Sequence, residues 1–219
     1  MSTNSITTGH IQGTSVNTVL RNTYWLLSLT LAFAAFTAGA SMALNLPHPG
    51  LLLTLAGYFG LLFLTSHYRN SALGLACVFA LTGFMGYTLG PIINAYIGMT
   101  GGARIVMTAF AGTGVIFLGM SGYALVTRRD FSFLGCMLFV GILVAFLAGL
   151  AALFFDMPSL SLAVSAMFVL LMSGLILHET QQIANGGETN YIMATVTLFV
   201  SIFNLFTSLL HLLGFASQE

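Results

Sequence analysis

The sequence contains very little charge. Of 219 residues, five are arginine, five are aspartate or glutamate, lysine is absent, and the formal net charge is zero. A soluble domain carries about a quarter charged residues and uses them to cover its surface; here the fraction is 5%. This composition excludes a soluble globular protein. It also excludes a nucleic-acid partner, because too few basic side chains are present to neutralise phosphates.

Cysteine is equally scarce. Cys77 and Cys136 both lie inside apolar stretches, so the sequence suggests no disulfide framework. Apolar residues, in contrast, make up 58% of the chain, and the mean hydropathy is +0.99. This abundance predicts a polytopic protein embedded in a lipid bilayer.

Long uncharged runs separate the few charged residues. A helix needs about 20 apolar residues to cross the hydrocarbon core, and the longest run is divided by a turn signal, Pro47-His48-Pro49-Gly50. The runs are apolar on all sides instead of alternating, which indicates helices and not a barrel. We therefore predict an all-α membrane protein, a bundle of seven transmembrane helices. The predicted spans are about 23–45, 51–67, 72–96, 105–126, 132–155, 160–180 and 191–214.

The first 20 residues are rich in Ser, Thr and Asn and contain no apolar core. They predict a disordered polar tail over 1–20, followed by the transmembrane domain over 21–219, and do not resemble a cleaved signal peptide. Four basic residues fall on one side of a seven-span arrangement, and Arg104 falls alone on the other. The positive-inside rule then predicts a cytoplasmic amino terminus. The four are Arg21, Arg69, Arg128 and Arg129.

Ionisable groups within a membrane are costly and usually functional. Glu179 ends the uncharged run 157–178 at the end of the sixth span, beside His178 and Thr180. One interpretation is a carboxylate that reaches the interface, and the other is a protonatable switch. The sequence favours neither of them over the other.

The seventh span carries polar residues at spacings of four and three. All of them fall on one helical face, so we expect this helix to lie at the centre of the bundle. Hydrogen bonding between helices is favoured over an ion path for this face, and for Asn204 in particular. Asn204 is nevertheless kept as a candidate residue for sensing protons or ions. The residues are Thr197, Ser201, Asn204, Ser208 and His211.

In the third span, Gly86 and Gly90 form a GxxxG pair that we interpret as a helix-packing site.

Two segments match catalytic patterns in part. His178-Glu179 begins like the zinc-protease motif HExxH, but position 182 is Gln, so a zinc ligand is missing and no metal site is predicted. The segment 119–122 matches a GxSG pattern, with His178 two spans later, as an intramembrane serine hydrolase using Ser121 and His178 would require. The pattern is weak in a chain with 24 glycines. We therefore predict no catalytic residues and no cofactor.

Several separate segments together resemble the Bax inhibitor-1 (transmembrane BAX-inhibitor-motif) family. They are 20–24 (LRNTY), 86–92 (GYTLGPI), 130–135 (DFSFLG), 179–180 (ET), 186–192 (GGETNYI) and 204–206 (NLF). The similarity extends from about residue 19 to the end of the chain. It implies a bundle of seven helices in which the last helix is surrounded by the other six.

The resemblance also implies candidate residues for sensing protons or ions. Members of this family are associated with a pH-sensitive calcium leak governed by two aspartates, whose positions correspond to Glu179 and Ser201 here, with Arg69 as the nearest candidate for a contributing basic residue. A glutamate and a hydroxyl cannot share one proton as two repelling acids do. The titrating pair of the family is therefore altered in this chain. A leak modulated by pH, passing Ca²⁺ or another cation and responding to H⁺, is the alternative function.

Within the family the similarity is greatest to bacterial members that bind and modulate FtsH, an AAA protease of the inner membrane. The resemblance therefore implies a multi-pass inner-membrane regulator, not an enzyme, with FtsH as its partner. Such members present a flexible cytoplasmic amino-terminal tail to the protease. The polar segment 1–20 has the composition that this role needs.

Overall fold

A computed structural model describes residues 4–127, 131 and 133–217, with side chains from residue 16 onward. The secondary structure of these residues consists of seven α-helices and no strand. In chain order the helices are α1 (Asn4–Ala43), α2 (Leu51–His67), α3 (Ala72–Ile97), α4 (Gly102–Val126), α5 (Leu134–Phe154), α6 (Pro158–Ala184) and α7 (Tyr191–Ala216). The predicted all-α fold with seven helices is confirmed.

Six of these helices contain stretches that are long and apolar enough to cross a membrane, judged by length and composition. The exception is α2, which is apolar but has only 17 residues. Large hydrophobic side chains such as Phe36, Phe110 and Phe139 are exposed on the outside of their helices. An apolar exterior of this kind matches a surface that contacts lipid.

The first helix begins earlier than the predicted first span. It starts at Asn4, although its apolar stretch begins only at Val16. The side chains before residue 16 lie outside the described residues. The disordered tail over 1–20 therefore stays a prediction.

The chain divides into two compact units. Unit 1 contains Met1–Ala95 and Gln182–Phe199, and unit 2 contains Tyr96–Gln181 and Val200–Glu219. Helix α7 therefore begins in unit 1 and ends in unit 2. Its most apolar stretch is 44% buried, compared with 17% for α5. This is the largest buried share among the six candidate spans.

Within unit 1, α3 packs closely on α1 through its two glycines. A Cβ atom at Gly86 would collide with the Thr37 side chain and the Ala34 backbone. A Cβ atom at Gly90 would lie 2.6 Å from the Ser41 side chain. The interpretation of the GxxxG pair as a packing site is thereby supported, because side chains at these positions would force the helices apart.

A proline inside α3 adds a second link to α1. Pro91 has no N–H, so the carbonyl of Tyr87, four residues earlier, loses its helical partner. The hydroxyl of Ser41 donates to this carbonyl over 3.0 Å instead. The Tyr87 hydroxyl in turn donates to the carbonyl of Pro47 over 2.8 Å. The hydrogen bond that proline removes is thus replaced by one between helices.

Within unit 2, small residues also set the helix contacts. A Cβ atom at Gly141 of α5 would meet Leu171 of α6, and one at Gly174 of α6 would meet Leu138 of α5. Helix α4 contacts α7 through an edge-to-face pair formed by Phe110 and Phe206. These contacts place α6 beside α5, and α7 beside α4.

Candidate functional site

The four predicted sensing residues lie in different environments. Glu179 is half-buried near the carboxyl end of α6, and Ser201 is completely buried on α7. Asn204 is half-buried, and its Nδ2 donates to the Val200 carbonyl of its own helix over 2.9 Å. Arg69 is exposed in the turn after α2. Unit 2 contains the first three residues, whereas Arg69 belongs to unit 1.

The residues that follow Glu179 on α6 form hydrogen bonds with other parts of unit 2. The hydroxyls of Thr180 and Ser121 lie 3.3 Å apart, which joins α6 to α4. Gln181 Oε1 accepts a hydrogen bond from the Phe131 amide over 2.9 Å. Thr180, Gln181 and Ser121 are all buried. The carboxyl-terminal part of α6 is therefore a dense polar junction.

His178 completes this junction. Its Nδ1 lies 3.2 Å from the carbonyl oxygen of Phe131. A carbonyl only accepts, so Nδ1 carries the proton in this hydrogen bond. The other ring nitrogen faces α5, because a Cβ atom at Gly135 would lie 3.1 Å from Nε2. Both peptide groups of Phe131, its N–H and its C=O, are thus held by side chains of α6.

These contacts bear directly on the serine-hydrolase alternative. A catalytic dyad needs the serine hydroxyl within hydrogen-bond reach of a histidine nitrogen. Ser121 instead pairs with Thr180, while the two nitrogens of His178 face Phe131 and Gly135. The geometry thus gives no support to a reaction at Ser121.

The polar face of α7 turns inward over much of its length. Ser201 and Ser208 are buried, and Thr197, Asn204 and His211 are half-buried. At the carboxyl end, His211 Nδ1 lies 2.9 Å from the hydroxyl of Ser165 on α6. This contact supports the interpretation of the face as a set of hydrogen bonds between helices.

In unit 1, Asn190 caps the amino terminus of α7. Its Oδ1 accepts from the amides of Ile192 and Met193, each over 3.1 Å. Its Nδ2 donates to the Arg69 carbonyl over 3.1 Å and to Asn70 Oδ1 over 2.8 Å. The Asn190 side chain therefore caps the amino terminus of α7 and links it by hydrogen bonds to the turn between α2 and α3.

The acidic residue nearest to this cap is Glu188. Its Oε1 accepts from the Asn190 amide over 2.6 Å. A carboxylate at a helix amino terminus interacts favourably with the helix dipole. Glu188 therefore supports the start of α7.

A second buried contact in unit 1 lies on the same helix, where the Thr195 hydroxyl is 3.3 Å from the Thr23 carbonyl of α1. The Thr23 hydroxyl itself is fully buried and has no partner within the described part of the chain.

No group of three or more His, Cys, Asp or Glu side chains that could hold a metal ion occurs among the described residues.

Sequence reasoning did not identify three of these residues. Asn190 could have been found, because an Asn directly before an apolar helical run is a preferred cap. Gln181 and Ser165 carry no comparable signal. Neutral polar residues are common in helices, and their partners Phe131 and His211 lie 50 and 46 positions away in the chain.

The fold and these sites define a multi-pass helical membrane protein with polar junctions between its helices. A family model described as "Inhibitor of apoptosis-promoting Bax1" matches residues 16–218. The chain belongs to this Bax inhibitor-1 family, as its sequence motifs predicted.

Three relatives show how far the similarity extends. The chain is 54% identical over 205 residues to "Modulator of FtsH protease YccA" of Escherichia coli K12, covering 94% of this chain and 93% of the relative. The identity and both coverages are the same for "Inner membrane protein YccA" of E. coli O6:H1. An uncharacterized membrane protein of Vibrio cholerae is 42% identical, with 93% and 92% covered. The predicted similarity to bacterial modulators of FtsH is confirmed.

Proposed function

We propose that this protein is an inner-membrane regulator that binds an FtsH-type AAA protease and slows its action on other membrane proteins. The observation that carries the proposal is the 54% identity, over 94% of the chain, to the E. coli modulator of FtsH. The matched 205 residues leave only 14 of the 219 outside the comparison. The proposal assigns the protein a regulatory role and no catalytic one.

The proposed orientation has a cytoplasmic amino terminus. In a seven-helix arrangement, Arg21 and Arg69 then face the cytoplasm and Arg104 faces the other side. Arg128 and Arg129, which lie outside the described residues, extend the positive side by sequence position. This orientation brings the amino-terminal segment to the side where an ATP-driven protease works.

In the proposed mechanism, the protease engages a polar amino-terminal segment that precedes a transmembrane domain with little chain outside the membrane. The connections between helices are short: 44–50, 68–71, 98–101, 127–133, 155–157 and 185–190. The segment before Val16, where the apolar stretch of α1 begins, is polar and offers a place for a protease pore to engage. Closely packed helices resist extraction, so an engaged protease stalls and degrades other substrates more slowly.

Deletion of residues 2–15 tests the role of the tail, because it leaves the apolar stretch of α1 intact. The control is a chain in which the order of residues 2–15 is shuffled at constant composition. Both variants are compared with the full chain for the turnover of a second membrane substrate in cells, at equal membrane levels. We expect the shuffled chain to restrain turnover and the shortened chain to fail. Full restraint by the shortened chain would rule out the tail mechanism.

A cation leak modulated by pH is the second candidate. It is favoured by a half-buried carboxylate, Glu179, in one membrane helix and a completely buried hydroxyl, Ser201, in another. Purified protein in liposomes should pass Ca²⁺ at a rate that differs between acid and neutral pH, and Glu179→Gln should remove that difference. Ser28→Ala is a suitable control, because this exposed hydroxyl bonds to the Tyr24 carbonyl of its own helix. An unchanged pH response in the Glu179→Gln variant would contradict this mechanism.

A further inference from the structure

We infer that the second half of α1 is a stop, which halts a protease that pulls on the amino-terminal segment. The stop segment is 33–42, and the glycine face of α3 holds it in place. This inference rests on the proposed function, because it assigns the resistance to extraction to one particular contact. It uses only contacts within unit 1, which contains all of α1 and contains α3 as far as Ala95.

The inward face of the stop segment consists of small side chains. Ala34, Ala38 and Ser41 are buried, whereas Phe36 on the opposite face is 72% exposed. Their spacings of four and three place the three small residues on one side of the helix. Small side chains let the backbones of two membrane helices approach closely.

Three glycines of α3 complement this face over two helical turns. A Cβ atom at Gly83 would lie 2.7 Å from the Phe33 ring, and one at Gly90 would lie 2.6 Å from the Ser41 side chain. Between them, a Cβ atom at Gly86 would collide with the Thr37 side chain and with the α1 backbone. The residue numbers rise together along both helices, so α1 and α3 run in parallel here.

Two hydrogen bonds link the far end of the stop segment to α3. The Ser41 hydroxyl donates to the Tyr87 carbonyl over 3.0 Å, and Asn94 Nδ2 donates to the Met42 carbonyl over 3.3 Å. The Tyr87 carbonyl has no helical donor because Pro91 lacks an N–H, so loss of Ser41 would leave this carbonyl unpaired. A pull from the amino terminus must break both bonds before α1 leaves the bundle.

The packing also opposes sliding of α1 along α3. The rings of Phe33 and Phe79 already meet edge to face, with their centroids 5.5 Å apart. Movement of α1 toward its amino terminus would drive Phe33 away from Gly83 and into Phe79. Closely packed side chains leave no free volume for such a step. Extraction of α1 therefore requires the two helices to separate.

Single-molecule force spectroscopy on the full-length protein in a supported lipid bilayer tests the stop. The amino terminus is pulled at constant force, and the time before α1 leaves the bilayer is measured. Gly86→Ala forces α1 and α3 apart, so we expect this lifetime to fall roughly tenfold. Gly39→Ala is the matched control on the stop segment itself, since no heavy atom lies within 4 Å of its Cβ position. Equal lifetimes of the two variants would overturn the inference.

Ser41→Ala tests the same contact without adding volume, so it decides the question even where Gly86→Ala does not fold. The lifetime under force should fall about fivefold, the factor for one net hydrogen bond. Gly141→Ala disturbs unit 2 instead, where its Cβ atom would meet Leu171. This variant should keep the lifetime of the unaltered protein. An equal loss in Ser41→Ala and Gly141→Ala would show that the contact between α1 and α3 is not the stop.

A protease assay connects the stop to regulation. In lipid vesicles with an FtsH-type protease and ATP, the Gly86→Ala chain should be degraded faster than the Gly39→Ala chain and should restrain a second substrate less. A shorter lifetime under force combined with equal degradation of both chains would overturn the stop. Failure of the unaltered protein to restrain the second substrate would contradict the proposed function itself, whatever the two variants show.

Discussion

Asn190 donates a 3.1 Å hydrogen bond to the carbonyl oxygen of Arg69, although the two residues are 121 positions apart in the chain. The same side chain accepts from two amides at the start of α7. Arg69 is thereby held through its backbone, and its guanidinium extends from an exposed turn. The start of α7 and the turn between α2 and α3 are therefore one structural feature of unit 1.

Asn190→Ala should lower the free energy of unfolding by about 1–2 kcal/mol, because a helix cap is lost together with the bonds to the turn. Asn190→Asp keeps the cap acceptor but loses the Nδ2 donor, so its cost should be smaller. Thermal unfolding of the purified protein in detergent measures both variants. Equal stability of Asn190→Ala and the unaltered protein would show that the cap contributes nothing.

The glycines of α3 provide a second prediction. Gly86→Ala should destabilise the protein by about 1–3 kcal/mol, because the added Cβ atom collides with α1 and overpacks the contact. Gly119→Ala on α4 is the matched control, since no heavy atom lies within 4 Å of its Cβ position. The control should be neutral or slightly stabilising, because alanine favours a helix more than glycine does. Similar effects of both substitutions would contradict the packing assigned to Gly86.

The link between Pro91 and Ser41 predicts coupling between two substitutions. Ser41→Ala should cost about 1–3 kcal/mol, because it leaves the Tyr87 carbonyl without a donor. Pro91→Ala restores the helical N–H that this carbonyl lacks. Ser41→Ala should therefore cost less in the Pro91→Ala chain, and a double-mutant cycle of unfolding free energies measures the difference. Strictly additive effects would show that the backbone N–H gained in Pro91→Ala does not replace the Ser41 hydroxyl as a donor to the Tyr87 carbonyl.

A fourth prediction concerns Ser121. A fluorophosphonate probe should not label this residue, because its hydroxyl pairs with Thr180 and His178 is held against Phe131 and Gly135. The experiment compares the unaltered protein with Ser121→Ala in native membranes. Labelling that disappears in the Ser121→Ala protein would revive the hydrolase alternative.

The positions of the helices could be predicted from the sequence because hydropathy reports where the chain meets lipid. The predicted span 51–67 coincides with α2, and the predicted span 160–180 lies within α6 (Pro158–Ala184). The start of α1 at Asn4 could not be predicted in this way. A polar segment outside the hydrocarbon core can be helical without leaving any hydropathy signal.

The candidate site was predictable only in part. The polar face of α7 was visible in the sequence because its period matches the helix, and Ser201 and Ser208 are indeed buried. The hydrogen bonds around Glu179 were not visible. They depend on which helices become neighbours, and neither Gln181 nor Ser121 has a sequence pattern that identifies its partner. The sensing roles of Glu179, Ser201, Asn204 and Arg69 stay predictions.

Reconstitution tests the regulatory role most directly. An FtsH-type protease, a membrane substrate and ATP are combined in lipid vesicles, with increasing amounts of this protein or of an unrelated seven-helix membrane protein at equal incorporation. We predict that the half-life of the substrate lengthens as this protein is added and does not change with the unrelated one. A substrate half-life that stays constant at every amount of this protein would contradict the proposed function.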